Sequence, residues 1–167
     1  MGAGSVFLNT EYEAYILADI NSDLISLYNI VKLRTSDFVR DARLLFTDEF
    51  NNSEQFYLLR EEFNTTADEY RRALLFLYLK PATAITACAA ITCVVSSMCR
   101  LGRYKKPYFP EEELYWFAEK SRNATFVCEH YHDTMVKATQ GAVVYCDPPY
   151  APLSATANFT GLSHQQL

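Results

Sequence analysis

The stretch from Val143 to Tyr150 constrains the fold more than any other part of the sequence. It begins with Val-Val-Tyr-Cys, and such β-branched, aromatic or small apolar residues are typical of a central strand in a parallel sheet. Pro148 and Pro149 fix φ and lack N–H donors, so the strand must end there. Because a residue before proline favours extended geometry, Asp147 should hold its carboxylate just beyond the strand. The stretch therefore predicts an α/β protein with a ligand site at the carboxyl edge of its sheet.

The turn after this strand carries groups that suit one reaction. An exocyclic amine of a nucleobase is a poor nucleophile because its lone pair is conjugated into the ring. The Asp147 carboxylate and the free carbonyls of Pro148 and Pro149 can accept its N–H groups and direct the lone pair at an electrophilic methyl group, while Tyr150 stacks on the base. Asp-Pro-Pro-Tyr resembles the catalytic motif of amino-methyltransferases that use S-adenosylmethionine. The alternative is a proline-rich turn capped by an aspartate.

The composition favours a single domain and sets limits on its partners. The chain has 167 residues, half of them hydrophobic, which is enough for one core. Its net charge of −5 does not favour nucleic-acid binding, so any DNA contact must come from a local basic patch. Five cysteines without a signal peptide predict reduced thiols in the cytoplasm. We expect a monomer and no transmembrane helix, since no run of about 18 strongly apolar residues occurs.

A glycine-rich turn opens the chain. Gly2-Ala3-Gly4-Ser5 leads into an apolar Val-Phe-Leu run, and glycines allow a sharp turn and a close approach to a ligand. Such a turn normally follows a strand and opens a helix. No strand precedes it in this sequence, so a flexible N-terminal tail is the alternative.

An acidic residue ends the next apolar segment. Residues 15–20 predict a short strand, and Asp19 near its end lies 15 residues after Gly4. Nucleotide-binding sheets place the acceptor for ribose hydroxyls about 20 residues beyond such a turn. Asp19 can also serve as a helix-start acid, because Asn21 and the residues after it resemble an N-cap.

The rest of the chain is predicted mainly from its periodicity. Residues 22–80 and 111–122 predict helices, 125–128 a short strand and 131–138 a further helix. The predicted inward residues are Leu24, Leu27, Tyr28, Val31, Phe38, Ala42, Leu45, Phe56, Leu59, Phe63, residues 73–79, Leu114, Phe117 and Ala118.

Residues 81–110 contain two segments of unusual composition. Residues 82–99 have no charge, aromatic or glycine, and they hold three of the five cysteines at spacings that fit no zinc site. Residues 102–110 are basic with interleaved aromatics, which suits contact with nucleic-acid phosphates. A solvated loop is the alternative for the basic segment. We predict no metal site, including at His130 and His132.

Four motifs together closely resemble the bacterial DNA adenine methylase (Dam) family, which methylates adenine N6 in GATC. They are Gly-Ala-Gly-Ser-Val-Phe-Leu-Asn from Gly2, Leu-Ala-Asp-Ile-Asn-Ser-Asp from Leu17, Arg-Tyr-Lys-Lys-Pro-Tyr-Phe-Pro from Arg103, and Asp-Pro-Pro-Tyr from Asp147. The resemblance covers residues 1–80 and 102–160. It implies an incomplete Rossmann-like, S-adenosylmethionine-dependent methyltransferase fold with a mainly helical insertion.

The resemblance also implies a role for each motif residue. Gly2, Ala3, Gly4 and Ser5 would line the S-adenosylmethionine site, Asp19 would hold the ribose hydroxyls, and Asp147 would also border the cofactor. Asp147 and Pro148 would receive the adenine amino group, flipped from double-stranded DNA, and Tyr150 would stack on it. Arg103, Tyr104 and Lys105 would contact DNA. Residues 1–35 and 123–167 would form the catalytic domain, and 36–122 the helical target-recognition region.

The sequence also departs from the family pattern. The family has a cofactor-contacting segment and a strand before the glycine turn, and it continues well past Phe159, so we expect truncation at both ends. Residues 81–101 stand where the family has a DNA-reading hairpin rich in Tyr, Asn, Gly and Arg. Because the family's reading hairpin, first strand and C-terminal strands are missing, we expect no methyltransferase activity from this chain. An inactive truncated remnant is therefore one alternative to the enzyme, and a non-catalytic nucleic-acid-binding module is another.

The sequence of residues 81–101 is the one expected if the part of the gene that encodes the hairpin is translated out of frame. Codons for Tyr-Gly-Tyr-Asn such as TAC GGC TAT AAC, shifted by one base, spell Thr-Ala-Ile-Thr, the sequence of residues 83–86. Codons for Arg-Tyr-Asn shifted in the same way spell Ala-Ile-Thr, the sequence of residues 90–92. The alternative is a genuine helix of small residues.

We predict that the gene carries two compensating insertions or deletions that flank codons 81–101, with the frame restored by Gly102. Resequencing the DNA and comparing it with related genes checks this. A single-frame ancestor that encodes the same small residues would contradict the hypothesis.

Overall fold

A computed structural model describes residues 4–79 and 108–146. The segment of small residues proposed to be out of frame, 81–101, lies outside the described residues, as do residues 102–107 of the basic segment. The elements in chain order are α1 (Ser5–Leu8), β1 (Tyr15–Asp19), α2 (Ser22–Leu33), α3 (Thr35–Arg43), α4 (Ser53–Thr65), α5 (Glu69–Leu79), α6 (Glu111–Lys120), a 3₁₀ turn (Ser121–Asn123), β2 (Ala124–Cys128) and α7 (Tyr131–Met135). None of the described helices has the length and apolar character needed to span a membrane.

The described sheet consists of two parallel strands, and both had been predicted. Tyr15 lies opposite Ala124 and Asp19 opposite Cys128, so the carboxyl ends of β1 and β2 meet at one edge. Helices α2 to α6 lie in the connection between the two strands. One face of the sheet packs on the core through Phe126, whereas Ile16 on the other face is 55% exposed. The chain is therefore a mixed α/β protein with a small parallel sheet.

Helix α2 begins where its sequence predicts. The side chain of Asn21 accepts a hydrogen bond from the backbone N–H of Leu24 at 3.2 Å, which satisfies a donor in the first turn. The predicted inward residues of this helix are buried, and α2 packs against β2, α5 and α6. This one helix therefore joins the sheet to the remaining helices.

The other helices also follow their predicted patterns. Phe38 and Leu75 are fully buried, and all of residues 73–79 are buried in α5. The predicted inward residues of α3, α4 and α6 are buried in the same core, with Ala118 half-buried at its margin. The helical periodicity of the sequence thus corresponds to a single continuous hydrophobic cluster.

Arg72 links three helices. Its guanidinium donates to both carboxylate oxygens of Asp23, at 2.5 and 3.0 Å, and to the backbone carbonyl of Phe63 at 2.6 Å. The guanidinium carbon also lies 4.3 Å from the centroid of the Phe63 ring. Since Asp23 stands in the first turn of α2, Arg72 ties the start of that helix to α4 and α5.

The prediction of a buried strand at residues 143–146 is wrong for the described structure. These residues form no strand, and Val143 and Tyr145 are 73% and 65% exposed. A strand persists only when a neighbour completes its hydrogen bonds, and within the described ranges β1 pairs with β2 alone. The segment instead follows a turn at Gly141, and the Cys146 sulfur lies 3.7 Å from that of Met135. The helix predicted over 131–138 is also shorter, ending at Met135.

We predict that Arg72→Ala lowers the free energy of unfolding by about 2 kcal/mol, because it leaves the half-buried Asp23 without its bidentate donor. Urea denaturation measures the change. Arg40→Ala is the matched control: Arg40 also pairs with carboxylates, of Asp37 and Asp41, but its side chain is 66% exposed. The control should change stability by less than about 0.5 kcal/mol. Equal losses in the two variants would contradict the linking role of Arg72.

Candidate functional site

The carboxyl edge of the sheet carries Asp19. Its Oδ1 accepts a hydrogen bond from the backbone N–H of Asn21 at 2.9 Å, and its backbone carbonyl accepts one from Glu129 at 3.2 Å. The first bond closes a tight turn between β1 and α2, and the second joins the ends of both strands. Asp19 therefore has the helix-start role that its sequence context suggested, and its half-buried carboxylate stands where α/β sheets bind ligands.

The predicted glycine turn is present and opens α1. Gly4 is buried and has φ 72° and ψ 15°, a left-handed conformation that favours glycine. Its carbonyl accepts a hydrogen bond from the N–H of Leu8 at 2.8 Å, and Ser5 follows as an exposed first residue of the helix. Gly2 and Ala3 lie outside the described residues.

Aromatic packing brings α1 onto the sheet. The Phe7 ring meets the Tyr15 ring edge to face, with centroids 4.9 Å apart, and it contacts Phe117 and Phe126 at 6.2 Å. Phe7 is buried in the core. The glycine turn and the strand that ends in Asp19 are therefore parts of one packed unit.

A lysine that the sequence analysis did not single out joins this unit to α6. The Lys120 amine donates to the Thr10 carbonyl at 2.5 Å and to the Glu11 carboxylate at 2.7 Å. The Tyr15 hydroxyl also donates to the Thr10 carbonyl, at 2.6 Å, and accepts from the N–H of Tyr12 at 2.8 Å. One signal could have identified Lys120: it lies three residues after Phe117, on the apolar stripe of its helix.

These contacts affect proton binding. The hydrogen bond to Glu11 raises the pKa of the Lys120 amine above its usual value. Burial alone would raise the pKa of Tyr15, but its hydrogen bonds with Thr10 and Tyr12 and the nearby Lys120 ammonium lower it. The raised pKa of Lys120 favours its charged form beside the loop that connects α1 to β1.

The residues after β2 form a separate polar group. The Glu129 carboxylate accepts from the Lys137 amine at 2.5 Å and from the Thr134 hydroxyl at 2.9 Å, and the bond to Lys137 lowers the pKa of Glu129. His130 and His132 are exposed, and His130 accepts from the N–H of His132 at the start of α7. In the described ranges no group of three His, Cys, Asp or Glu side chains is arranged to hold a metal ion.

The structure thus brings together part of the predicted site. Gly4, Ser5 and Asp19 belong to the unit formed by α1 and the sheet. The predicted catalytic residues Asp147, Pro148, Pro149 and Tyr150, and the predicted DNA-contacting residues Arg103, Tyr104 and Lys105, lie outside the described residues.

Comparison with known proteins adds independent information. The family model for D12 class N6 adenine-specific DNA methyltransferases matches residues 1–167. A protein named DNA adenine methylase from Serratia marcescens is 74% identical over 170 aligned residues, which cover 96% of this chain and 59% of that protein.

More distant relatives carry the same name. The DNA adenine methylase of Escherichia coli K12 is 58% identical and that of Vibrio cholerae (strain O395) is 45% identical, each over 96% of this chain and 57% of the relative. The chain therefore spans little more than half the length of the curated relatives it matches.

Proposed function

We propose that this chain, which belongs to the family of D12 class N6 adenine-specific DNA methyltransferases, carries the cofactor and amine sites of an enzyme that methylates adenine N6 in GATC. The observation that carries the proposal is the turn at Gly4, packed on the strand that ends in Asp19, in a chain matched by the family along its whole length.

S-adenosylmethionine is the proposed cofactor, and the described residues suit it. Its ribose hydroxyls need a hydrogen-bond acceptor at the sheet edge, and the Asp19 carboxylate is held there by its bond to Asn21. Its methionine part needs close approach to the backbone, which the buried left-handed Gly4 allows. Ser5, Gly2, Ala3 and Asp147 complete the proposed cofactor site. The incomplete Rossmann-like fold is supported by the parallel pairing and by the position of Asp19 at the carboxyl edge.

Chemistry at the adenine is assigned to the Asp-Pro-Pro-Tyr turn. The bound cofactor supplies an electrophilic methyl group. The Asp147 carboxylate and the Pro148 carbonyl would accept the two N–H groups of N6, which localises the nitrogen lone pair and aims it at that methyl. Pro149 would keep the turn rigid, and Tyr150 would stack on the adenine once it is flipped out of the duplex. The reaction needs no metal and no covalent enzyme intermediate.

Double-stranded DNA is the proposed substrate. Arg103, Tyr104 and Lys105 would contact its phosphates, which offsets the unfavourable net charge of −5. Residues 36–122 would form the target-recognition region, with 81–101 anomalous, and residues 1–35 and 123–167 the catalytic part. We propose that the chain acts as a cytoplasmic monomer.

One structural observation favours a second candidate, an inactive remnant of such an enzyme. The segment that leads into Asp147 is exposed and forms no strand, with Val144 50% exposed and Val143 73% exposed. A catalytic carboxylate needs a rigid support, and an unpaired segment does not provide one. The remnant would bind the cofactor weakly and would not turn over.

We predict that Asp19→Asn weakens S-adenosylmethionine binding about tenfold, because an amide accepts hydroxyl protons less strongly than a carboxylate. The asparagine retains an acceptor for the N–H of Asn21, so the melting temperature should change little. Isothermal titration calorimetry measures the affinity. Asp133→Asn is the control, since this acid is exposed on α7. Equal affinities in all three proteins would contradict the ribose contact.

The enzyme proposal predicts that the chain transfers methyl groups to adenine in a GATC duplex and that Asp147→Ala lowers this rate at least about 100-fold, because the amine loses its charged acceptor. Transfer of radioactive methyl groups to duplex DNA measures the rate, with a GTTC duplex as control. Cofactor binding without transfer in both proteins would contradict the enzyme proposal and support the remnant.

A further inference from the structure

We propose that Lys120 is a positioning residue for the cofactor: it holds the loop between α1 and β1 and, through it, the glycine turn at Gly4. This inference rests on the proposed use of S-adenosylmethionine. Lys120 stands at the end of α6, 110 positions along the chain from the carbonyl that it contacts, so the link joins two distant parts of the sequence.

The Lys120 side chain is largely buried against the loop between α1 and β1. Only 12% of the lysine side chain is exposed, and its nitrogen reaches both the Thr10 carbonyl and the Glu11 carboxylate. The same nitrogen lies 5.9 Å from the ring centroid of Phe7 and 5.6 Å from that of Tyr15. A cation at these distances over two rings is attracted to both. Lys120 therefore contacts the helix, the loop and the strand at once.

Several hydrogen bonds, each spanning four residues, tie the loop that Lys120 contacts to α1 and the glycine turn. The Thr10 hydroxyl donates to the carbonyl of Val6 in α1 at 2.8 Å, and the side-chain amide of Asn9 donates to the carbonyl of Ser5 at 2.8 Å. The carbonyl of Gly4 in turn accepts from the N–H of Leu8. Because α1 has only four residues, its geometry depends on contacts outside the helix, and the bond from Lys120 to Thr10 holds the loop two residues after it.

The position of Lys120 keeps it away from the proposed ribose acceptor Asp19. It meets the sheet at Tyr15, the first residue of β1, whereas Asp19 ends that strand at the opposite edge. Five residues of extended strand separate the two edges by about 13–17 Å. We therefore expect Lys120 to affect cofactor binding through the loop and α1 and not through contact with Asp19.

A second lysine provides a matched control. Lys32 also donates to a backbone carbonyl across the fold, that of Ala124, at 2.7 Å. Its bond joins α2 to the first residue of β2 and touches neither α1 nor the loop after it. Loss of the Lys32 amine should lower stability without moving the glycine turn.

The experiment compares Lys120→Met, Lys120→Arg and Lys32→Met with the unchanged chain. Methionine keeps the apolar stem over the rings but removes the donor, and arginine restores a cation that can donate. Calorimetry with S-adenosylhomocysteine gives the dissociation constant of each protein below its melting temperature. Amide hydrogen exchange without ligand gives the protection of the N–H groups of Leu8 and Tyr12.

We expect Lys120→Met to raise the dissociation constant about tenfold and Lys120→Arg to return it to within about threefold of the unchanged chain. Lys32→Met should stay within about threefold even if it lowers the melting temperature as much. Leu8 and Tyr12 should lose protection in Lys120→Met alone. An equal rise in both methionine variants, or unchanged affinity in Lys120→Met, would overturn the inference.

The exchange measurement keeps the two proposals separable. The unchanged chain could bind no S-adenosylhomocysteine while Lys120→Met still lowers the exchange protection of Leu8 and Tyr12 selectively. That result would refute the proposed cofactor but support the effect of Lys120 on the position of the turn. If protection at these two amides is unchanged in Lys120→Met, the positioning role is wrong whatever the ligand result.

Discussion

Helix α2 has to be buried on two sides, and the rest of the described structure depends on that constraint. It follows β1 after a two-residue turn, packs against β2 and α6 on one side and meets α5 on the other. Its apolar residues are too many for a single stripe, since Ile25 is buried as well as Leu24, Leu27 and Tyr28. A helix with this pattern is stable only between two layers, and the sheet and the helical layer are those layers.

Polar contacts set the position of this helix along its axis. The carboxylate of Asp19 and the amide of Asn21 close the turn that starts α2, and Arg72 binds Asp23 within the first turn of the helix. Hydrophobic burial alone allows a helix to slide, whereas a capped first turn and a bidentate ion pair fix its start. The residue proposed to bind the ribose is therefore located by the same contacts that locate the central helix.

Two long-range contacts connect the helical part to the proposed cofactor unit. Lys120 reaches from the end of α6 to the loop after α1, and the rings of Phe117 and Phe7 meet in the core. The basic segment that we assign to DNA contact precedes α6 in the chain. Helix α6 thus follows the proposed DNA-contacting segment in the sequence and packs against the unit that carries the proposed cofactor turn.

The sequence by itself determined the mainly helical character of residues 22–79 and 111–120, the inward residues of these helices, the Asn21 cap, a turn at Gly4 and both strands of the sheet. These features depend on residues a few positions apart, so periodicity and short-range hydrogen bonding are sufficient to predict them. Only the tertiary structure decided that residues 143–146 are exposed and that Lys120 holds the loop after α1. The pairing of strands and the carbonyl that a lysine contacts both depend on residues that can lie more than a hundred positions away in the sequence. A local sequence pattern does not specify which of these distant residues will be close in the folded protein.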